Sequence, residues 1–226
     1  MKYILTILLG FSLSAIGFGQ SAQMLSAADN DPEATKILNK IKAEYETFKS
    51  MEVDFTLTIK LPEQEPEVQK GFIKQQGDKF VLDIDQQSIY NNGEIIWLHV
   101  KKNNEVQIND ADMGEESDML SPKDMLTIYE SGEFVYQITD YPVVGGKKMS
   151  QIDFKPLDRD SEYFKITLLA NKKEGKMTEM TVFSKDGSRY ILKINNIVPN
   201  IDYDPAIFTF DESKFPGIYI EDLRID

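Results

Sequence analysis

Cysteine is absent from this chain, and histidine occurs once, as His99. The first absence rules out disulfides, a lipidated N-terminal cysteine and thiolate metal sites. The second removes most of the means for acid–base or zinc chemistry. A catalytic imidazole needs partners that orient it, and a metal site needs several ligands at workable spacing. His99 sits in an apolar run beside Trp97 and reads as structural. Positive charge is also scarce: 25 lysines and arginines face 38 aspartates and glutamates, a net charge of −13. That balance argues against nucleic acid as a partner. It also argues against electrostatic docking on anionic lipid.

Several motifs are missing as well. There is no Gly-x-Ser-x-Gly elbow, no phosphate or dinucleotide loop and no His-Glu-x-x-His pair. Paired carboxylates such as Asp83 and Asp85 arise by chance in so acidic a chain and read as a solvated face. No catalytic residue, cofactor or metal is expected, and the chain does not read as an enzyme. Beyond its first residues it has no apolar run long enough to span a bilayer. The start itself reads as a cleavable signal peptide over residues 1–19. Lys2 is followed by the apolar stretch Ile4–Phe11, then by Gly17 and Gly19 before Gln20. The mature protein is expected to be exported, which in a Gram-negative cell means the periplasm. Residues 20–30 read as a flexible leader and residues 31–226 as one domain.

What the chain does have is alternation. Met51, Val53, Phe55, Leu57, Ile59 and Leu61 alternate with Glu52, Asp54, Thr56, Thr58 and Lys60, giving a strand with one wet and one apolar face. Similar runs follow, punctuated by Gly77-Asp78, Asn91-Asn92-Gly93, Asn171–Gly175 and Asp186-Gly187, which suit tight hairpins. The segment Ile95–Val100 is apolar on both sides, so it is central or has its second face covered by an end of the fold. Asp31-Pro32 starts a helix in which Ile37, Ile41, Tyr45 and Phe48 form a stripe widened by Ala34 and Leu38. Ser121-Pro122 starts a second, short helix carrying Met125, Leu126, Ile128 and Tyr129. Tyr141–Lys148, with Pro142 and two glycines, reads as a loop or bent edge, and Phe215–Leu223 as a last strand or core padding. The expectation is a mainly β, α+β fold: about 11 antiparallel strands in one twisted sheet, with everything else packed on one face.

Taken in order, several segments resemble the LolA family of periplasmic lipoprotein carriers. They are the Ile37–Phe48 helix leading into Val53-Asp54-Phe55-Thr56, Gly71-Phe72-Ile73, Gly77-Asp78-Lys79-Phe80 and Ile89–Trp97. The Ser121-Pro122 helix start, the Met177–Asn195 hairpin and Asp204–Phe210 continue the series. The resemblance implies a single curved, incompletely closed antiparallel β-barrel under a helical lid. It implies acylated lipoproteins as cargo, an inner-membrane transporter as donor and an outer-membrane acceptor, with a monomeric carrier between them. The family often has an arginine directly after the phenylalanine that matches Phe80, where it latches the lid; here that residue is Val81. On this reading Phe55, Leu57, Phe72, Phe80, Leu82 and Trp97 line an apolar cavity, and Ile41, Tyr45, Met125 and Ile128 belong to the lid. A lipid or lipoprotein sensor, or an interaction domain with a filled core, is the alternative.

Overall fold

In the computed structural model, residues 26, 29–111 and 128–224 are described. The expected signal peptide and Met125, with the start of the second helix, lie outside them. Helix α1 (Pro32–Glu46) leads into a sheet built from β1 (Met51–Lys60), β2 (Glu67–Gln76), β3 (Lys79–Ile84), β4 (Gln87–Asn91), β5 (Ile95–Val100), β6 (Glu105–Asp110) and β7 (Phe134–Asp140). A short hairpin, β8 (Val143–Val144) and β9 (Lys147–Lys148), follows. The chain then adds β10 (Ser150–Pro156), β11 (Tyr163–Asn171), β12 (Lys176–Ser184), β13 (Arg189–Pro199) and β14 (Tyr219–Asp222). Twelve of these strands form one sheet in the order β14-β6-β5-β4-β3-β2-β1-β13-β12-β11-β10-β7. Its two edges, β14 and β7, do not pair with each other, so the barrel stays open. All ladders are antiparallel except β14 on β6, which is parallel. The segment Tyr141–Lys148, expected as a loop or bent edge, holds the β8–β9 hairpin, with Gly145 and Gly146 supplying the positive φ of its turn.

One face of the sheet, called inner here, carries α1. The helix starts where the sequence indicates: the Asp31 carboxylate accepts from the backbone N–H groups of Glu33 and Ala34. Its buried stripe is Ala34, Ile37, Leu38, Ile41 and Tyr45. This stripe packs on Met51, Val53 and Phe55 of β1 and on inner residues of β7 and β10–β12, among them Tyr136, Ile152, Phe154, Ile166, Leu168 and Met180. The turn Ile128–Glu130 lies beside it: Tyr129 Oη donates to Asn39 Oδ1 at 2.8 Å, and Lys42 pairs with Glu130 at 2.8 Å.

The other cover contradicts the expectation that everything packs on one face. The C-terminal segment crosses to the outer face of β3–β6. There Phe210, Phe215 and Ile218 pack on Tyr90, Trp97, Val106 and Ile108. His99 lies buried in the same layer, with ring centroids 5.4 Å from Phe210 and 4.6 Å from Phe215. Desolvation holds its pKa below the usual value, with Lys101 adding to the effect and Asp83 opposing it. This explains why β5 is apolar on both sides: Ile96 belongs to the inner face, and Trp97 and His99 to the outer.

Gly71 fixes one local choice. It pairs with Phe55 on β1 and Ile84 on β3, and a Cβ there would stand 2.6 Å from the Phe55 ring and 2.5 Å from the Asp83 carbonyl. The Phe55 ring occupies the space a side chain would need. Gly71→Ala is expected to destabilise the protein by roughly 1–3 kcal/mol, because the backbone oxygen cannot swing aside. Urea unfolding would measure this, and an unchanged midpoint would mean the strands separate without cost.

Candidate functional site: the inner apolar face

Strand pairing assigns each expected lining residue to a face. Phe55 and Leu57 of β1 share the inner face with Phe80 and Leu82 of β3, through Gly71, Ile73 and Gln75 of β2. Phe72 and Trp97 fall on the outer face. Phe72 pairs with Asp54 and Asp83 and lies under the Lys74 ammonium, 5.0 Å from the ring centroid; Trp97 pairs with Tyr90 and Ile108. In both cases a neighbour takes the inner position, Gly71 beneath Phe55 and Ile96 beside Phe80 and Ile89. Val81 also faces outward. It pairs with Tyr90 in a strand contacted by the Pro205–Phe208 turn, so a side chain there has no access to α1. On the covering elements, Ile41 and Tyr45 are buried against the sheet and Ile128 is packed at the edge of the same core.

Residues that sequence reasoning left out extend the inner face. Leu57 pairs with Leu192 and Phe55 with Ile194 on β13, while Tyr190 and Leu192 lie opposite Val182 and Met180 on β12. Helix α1 covers only the end of these strands that holds Met51, Val53, Met177 and Met180. Beyond it, Leu57, Ile59, Val182, Leu192 and Ile194 are only half-buried, and Tyr190 is 39% exposed. They pack on the margin of the core and form an apolar strip on the inner face that remains partly open to solvent. Period-two spacing of Tyr190, Leu192 and Ile194 was the available signal. It was masked by apolar Ile191 and by the irregularity opposite Asp54 and Phe55, where the register shifts.

Between α1 and the sheet the packing is nearly solid. Leu38, Ile41, Ile128, Phe154, Leu168 and Met180 are among the residues enclosing a cavity of about 20 Å³. Ligand pockets commonly measure about 300–1,000 Å³. With the helix seated, this space holds no fatty chain. Opening it means moving α1, and the bonds that seat α1 are identifiable. Asp31 N–H donates to the Tyr136 carbonyl at 3.0 Å, Tyr136 N–H to Asn30 Oδ1 at 2.9 Å, and Ile138 N–H to Asp31 Oδ2 at 3.1 Å. Two residues of the entering chain thus cover the edge of β7. Lys40 adds bonds to the carbonyls of Lys172 and Lys173 at 3.1 and 2.8 Å.

Three side chains in this layer carry polar costs. Tyr45 Oη is buried with no hydrogen-bond partner, and desolvation pushes its pKa up to about 12. Gln69 and Gln75 are buried on the inner face of β2, each with an unpartnered side-chain oxygen. Among the described residues no group of three or more His, Asp or Glu side chains is placed to hold a metal. None of their helices is long and apolar enough to cross a membrane.

Fold and site together define a class: an open, curved antiparallel sheet with a helix seated on part of its inner face. No family model matches the sequence, and no curated protein matches it either. Among solved structures, an uncharacterized conserved protein from Thermus thermophilus is similar over 84% of this chain and 99% of its own, at 8% identity and a TM-score of 0.55. LprF from Mycobacterium bovis is matched at 14% identity over 78% of this chain and 98% of its own, with a TM-score of 0.46. A LolA superfamily protein from Nitrosomonas europaea is matched at 14% identity over 78% and 97%, with a TM-score of 0.40. At these identities the likeness is one of fold, and it is the first match that carries it.

The Asp31 clamp has a pH signature. The Ile138 N–H bond, then those from Glu33 and Ala34, hold the Asp31 pKa below its ordinary value against the opposing effect of burial. A depressed carboxylate pKa contributes stability above the unfolded value of about 4, and that contribution fades as pH falls through the lower folded value. Asp31→Asn keeps a capping oxygen but loses the acceptor for Ile138, at a cost of roughly 1–2 kcal/mol at neutral pH. The gap from the parent protein should close on acidification; a gap constant down to acid would assign it to something other than this charge. Tyr45→Phe removes the unpaired hydroxyl and is expected to raise stability by roughly 1 kcal/mol. A loss of stability on thermal unfolding would show that the hydroxyl is satisfied in solution.

Proposed function

We propose that this protein is an exported carrier that binds the acyl chains of lipoproteins on its inner apolar face and hands them on without covalent chemistry. The observation that carries the reading is the open strip of Leu57, Ile59, Val182, Leu192 and Ile194 beside a seated helix. Leaving such side chains half in water forfeits on the order of 1 kcal/mol each. A protein whose total stability is about 5–15 kcal/mol gains nothing in folding from that exposure. An acyl chain restores the burial, at about 0.8 kcal/mol per CH₂. The strip alone is shallow, so a bound chain extends from it under α1 as the helix lifts from its clamp on β7. The fold likeness and the resemblance of the chain to the LolA family support this reading. The same resemblance implies an inner-membrane transporter as donor and an outer-membrane receptor as acceptor, and the expected signal peptide supports a periplasmic carrier, proposed here as a monomer.

A second reading has one observation in its favour. The cavity of about 20 Å³ under α1 suits a lipid or lipoprotein sensor, or an interaction module, that never opens fully and runs no transport cycle. Loading separates the two. Mixed with a detergent-solubilised triacylated lipoprotein, the purified protein is expected to elute from size exclusion as a soluble stoichiometric complex once detergent is removed. Leu57→Glu should weaken loading by about tenfold or more, because the carboxylate would have to be buried under the acyl chain. Thr56→Glu, one residue along on the outer face, should leave loading unchanged. Failure to form any complex would count against the carrier, and equal loading by Leu57→Glu would remove the inner face from the account.

A further inference from the structure

At the end of the sheet beneath α1, two hairpin tips stand side by side. One is β8–β9; the other is the turn Asn171–Gly175 joining β11 to β12. Lys147 Nζ bonds Glu174 Oε1 across the gap at 2.6 Å, and Lys40 fixes the second tip from α1. The pair is therefore a built surface rather than two loose turns. Its apolar content has no role in the core: Val143 is 70% exposed, Val144 48% and Tyr141 49%. Adjacent strand residues point to opposite sides, so both sides of the small hairpin are apolar. Around them Lys147, Lys148, Lys172 and Lys173 are exposed, and the Lys148 ammonium lies 4.8 Å from the centroid of the Tyr141 ring. Three carboxylates lie nearby: Glu174 and Glu33, paired with Lys147 and Lys172, and Asp140, which accepts from the Tyr141 N–H; against them stand five lysines, Lys40, Lys147, Lys148, Lys172 and Lys173. This corner thus has a local excess of positive charge in a chain of net charge −13.

Exposed valines at a tip, a tyrosine behind them and a ring of lysines match the layers of a bilayer surface. Apolar tips reach the acyl boundary, tyrosine sits at headgroup depth, and lysines reach the phosphates. Screening lets the corner act independently of the overall charge. At physiological ionic strength the Debye length is about 8 Å, so a membrane senses the charges nearest to it. We propose that this double tip docks the protein on an anionic phospholipid surface. The site is separate from the apolar strip: β12 starts at the tip with Lys176 and reaches the strip at Val182, about 20 Å away at strand rise. The docking surface therefore does not depend on what the inner face binds.

Vesicle flotation tests this directly, with vesicles of phosphatidylcholine and phosphatidylglycerol in equal parts against phosphatidylcholine alone. The protein is expected to float with the anionic vesicles only, and less so as salt is raised. Lys148→Glu/Lys173→Glu, which leaves the Lys147–Glu174 bond in place, should lower partitioning by at least about fivefold for each lysine. Val143→Ser/Val144→Ser should lower it severalfold, and neither double variant should move the urea midpoint. Flotation unchanged by the lysine variant overturns the proposal and moves membrane contact to the inner face. No flotation of the parent protein also overturns it, leaving an acidic protein surface as the partner for this corner.

Discussion

Twelve strands in one open sheet create two faces, and every apolar residue must be hidden on whichever face its position gives it. Among the described residues a single α-helix spans part of one face. The chain solves this with two covers placed diagonally: α1 over the inner face of β1 and β7 and of β10–β13, and the C-terminal segment over the outer face of β3–β6. Among the described residues, that division leaves the inner strip of Leu57, Ile59, Leu192 and Ile194 only partly covered. The strip follows from the mismatch between the area of the sheet and the reach of its helix.

The two covers are held differently. The C-terminal cover is tied in by aromatic packing around His99 and by β14, whose parallel pairing extends the sheet beyond β6. Its removal would expose Trp97, Val106 and Ile108 together. Helix α1 is seated on apolar contacts too, but its N-terminal attachment runs through a few hydrogen bonds from Asn30 and Asp31 to the edge strand. Below the helix lie an unpaired tyrosine hydroxyl and a small void, both of which weaken that contact. On the proposed carrier reading, α1 is the cover that leaves and returns, and the C-terminal one stays.

Much of this was legible in the chain. The wet-and-dry alternation of β1, the capped start of α1 and the hairpin glycines each follow from local chemistry and appear as expected. The two-sided apolar character of β5 pointed to a second cover without saying where it came from. Strand parity was less readable. In β2 the sequence Val68–Gln76 mixes polar and apolar residues on both sides, and the deciding fact is that Phe55 fills the space above Gly71, a contact between different strands. Phe72 and Trp97 therefore look like lining residues in sequence but face outward. The β13 contribution was hidden for a related reason: the register shift opposite Asp54 and Phe55 changes which residues share the face of Leu57.

If the protein is a carrier, acyl chains meet its inner face and no other. A lipoprotein carrying a photoactivatable group within its acyl chains, crosslinked to the protein and mapped by peptide mass spectrometry, reads that contact directly. The predicted adducts fall on Leu57, Ile59, Leu192 and Ile194, and on Ile41 or Tyr45 where the helix has lifted. Adducts confined to outer-face residues such as Phe72 and Phe183, or none at all under conditions where the lipoprotein stays soluble, would contradict it.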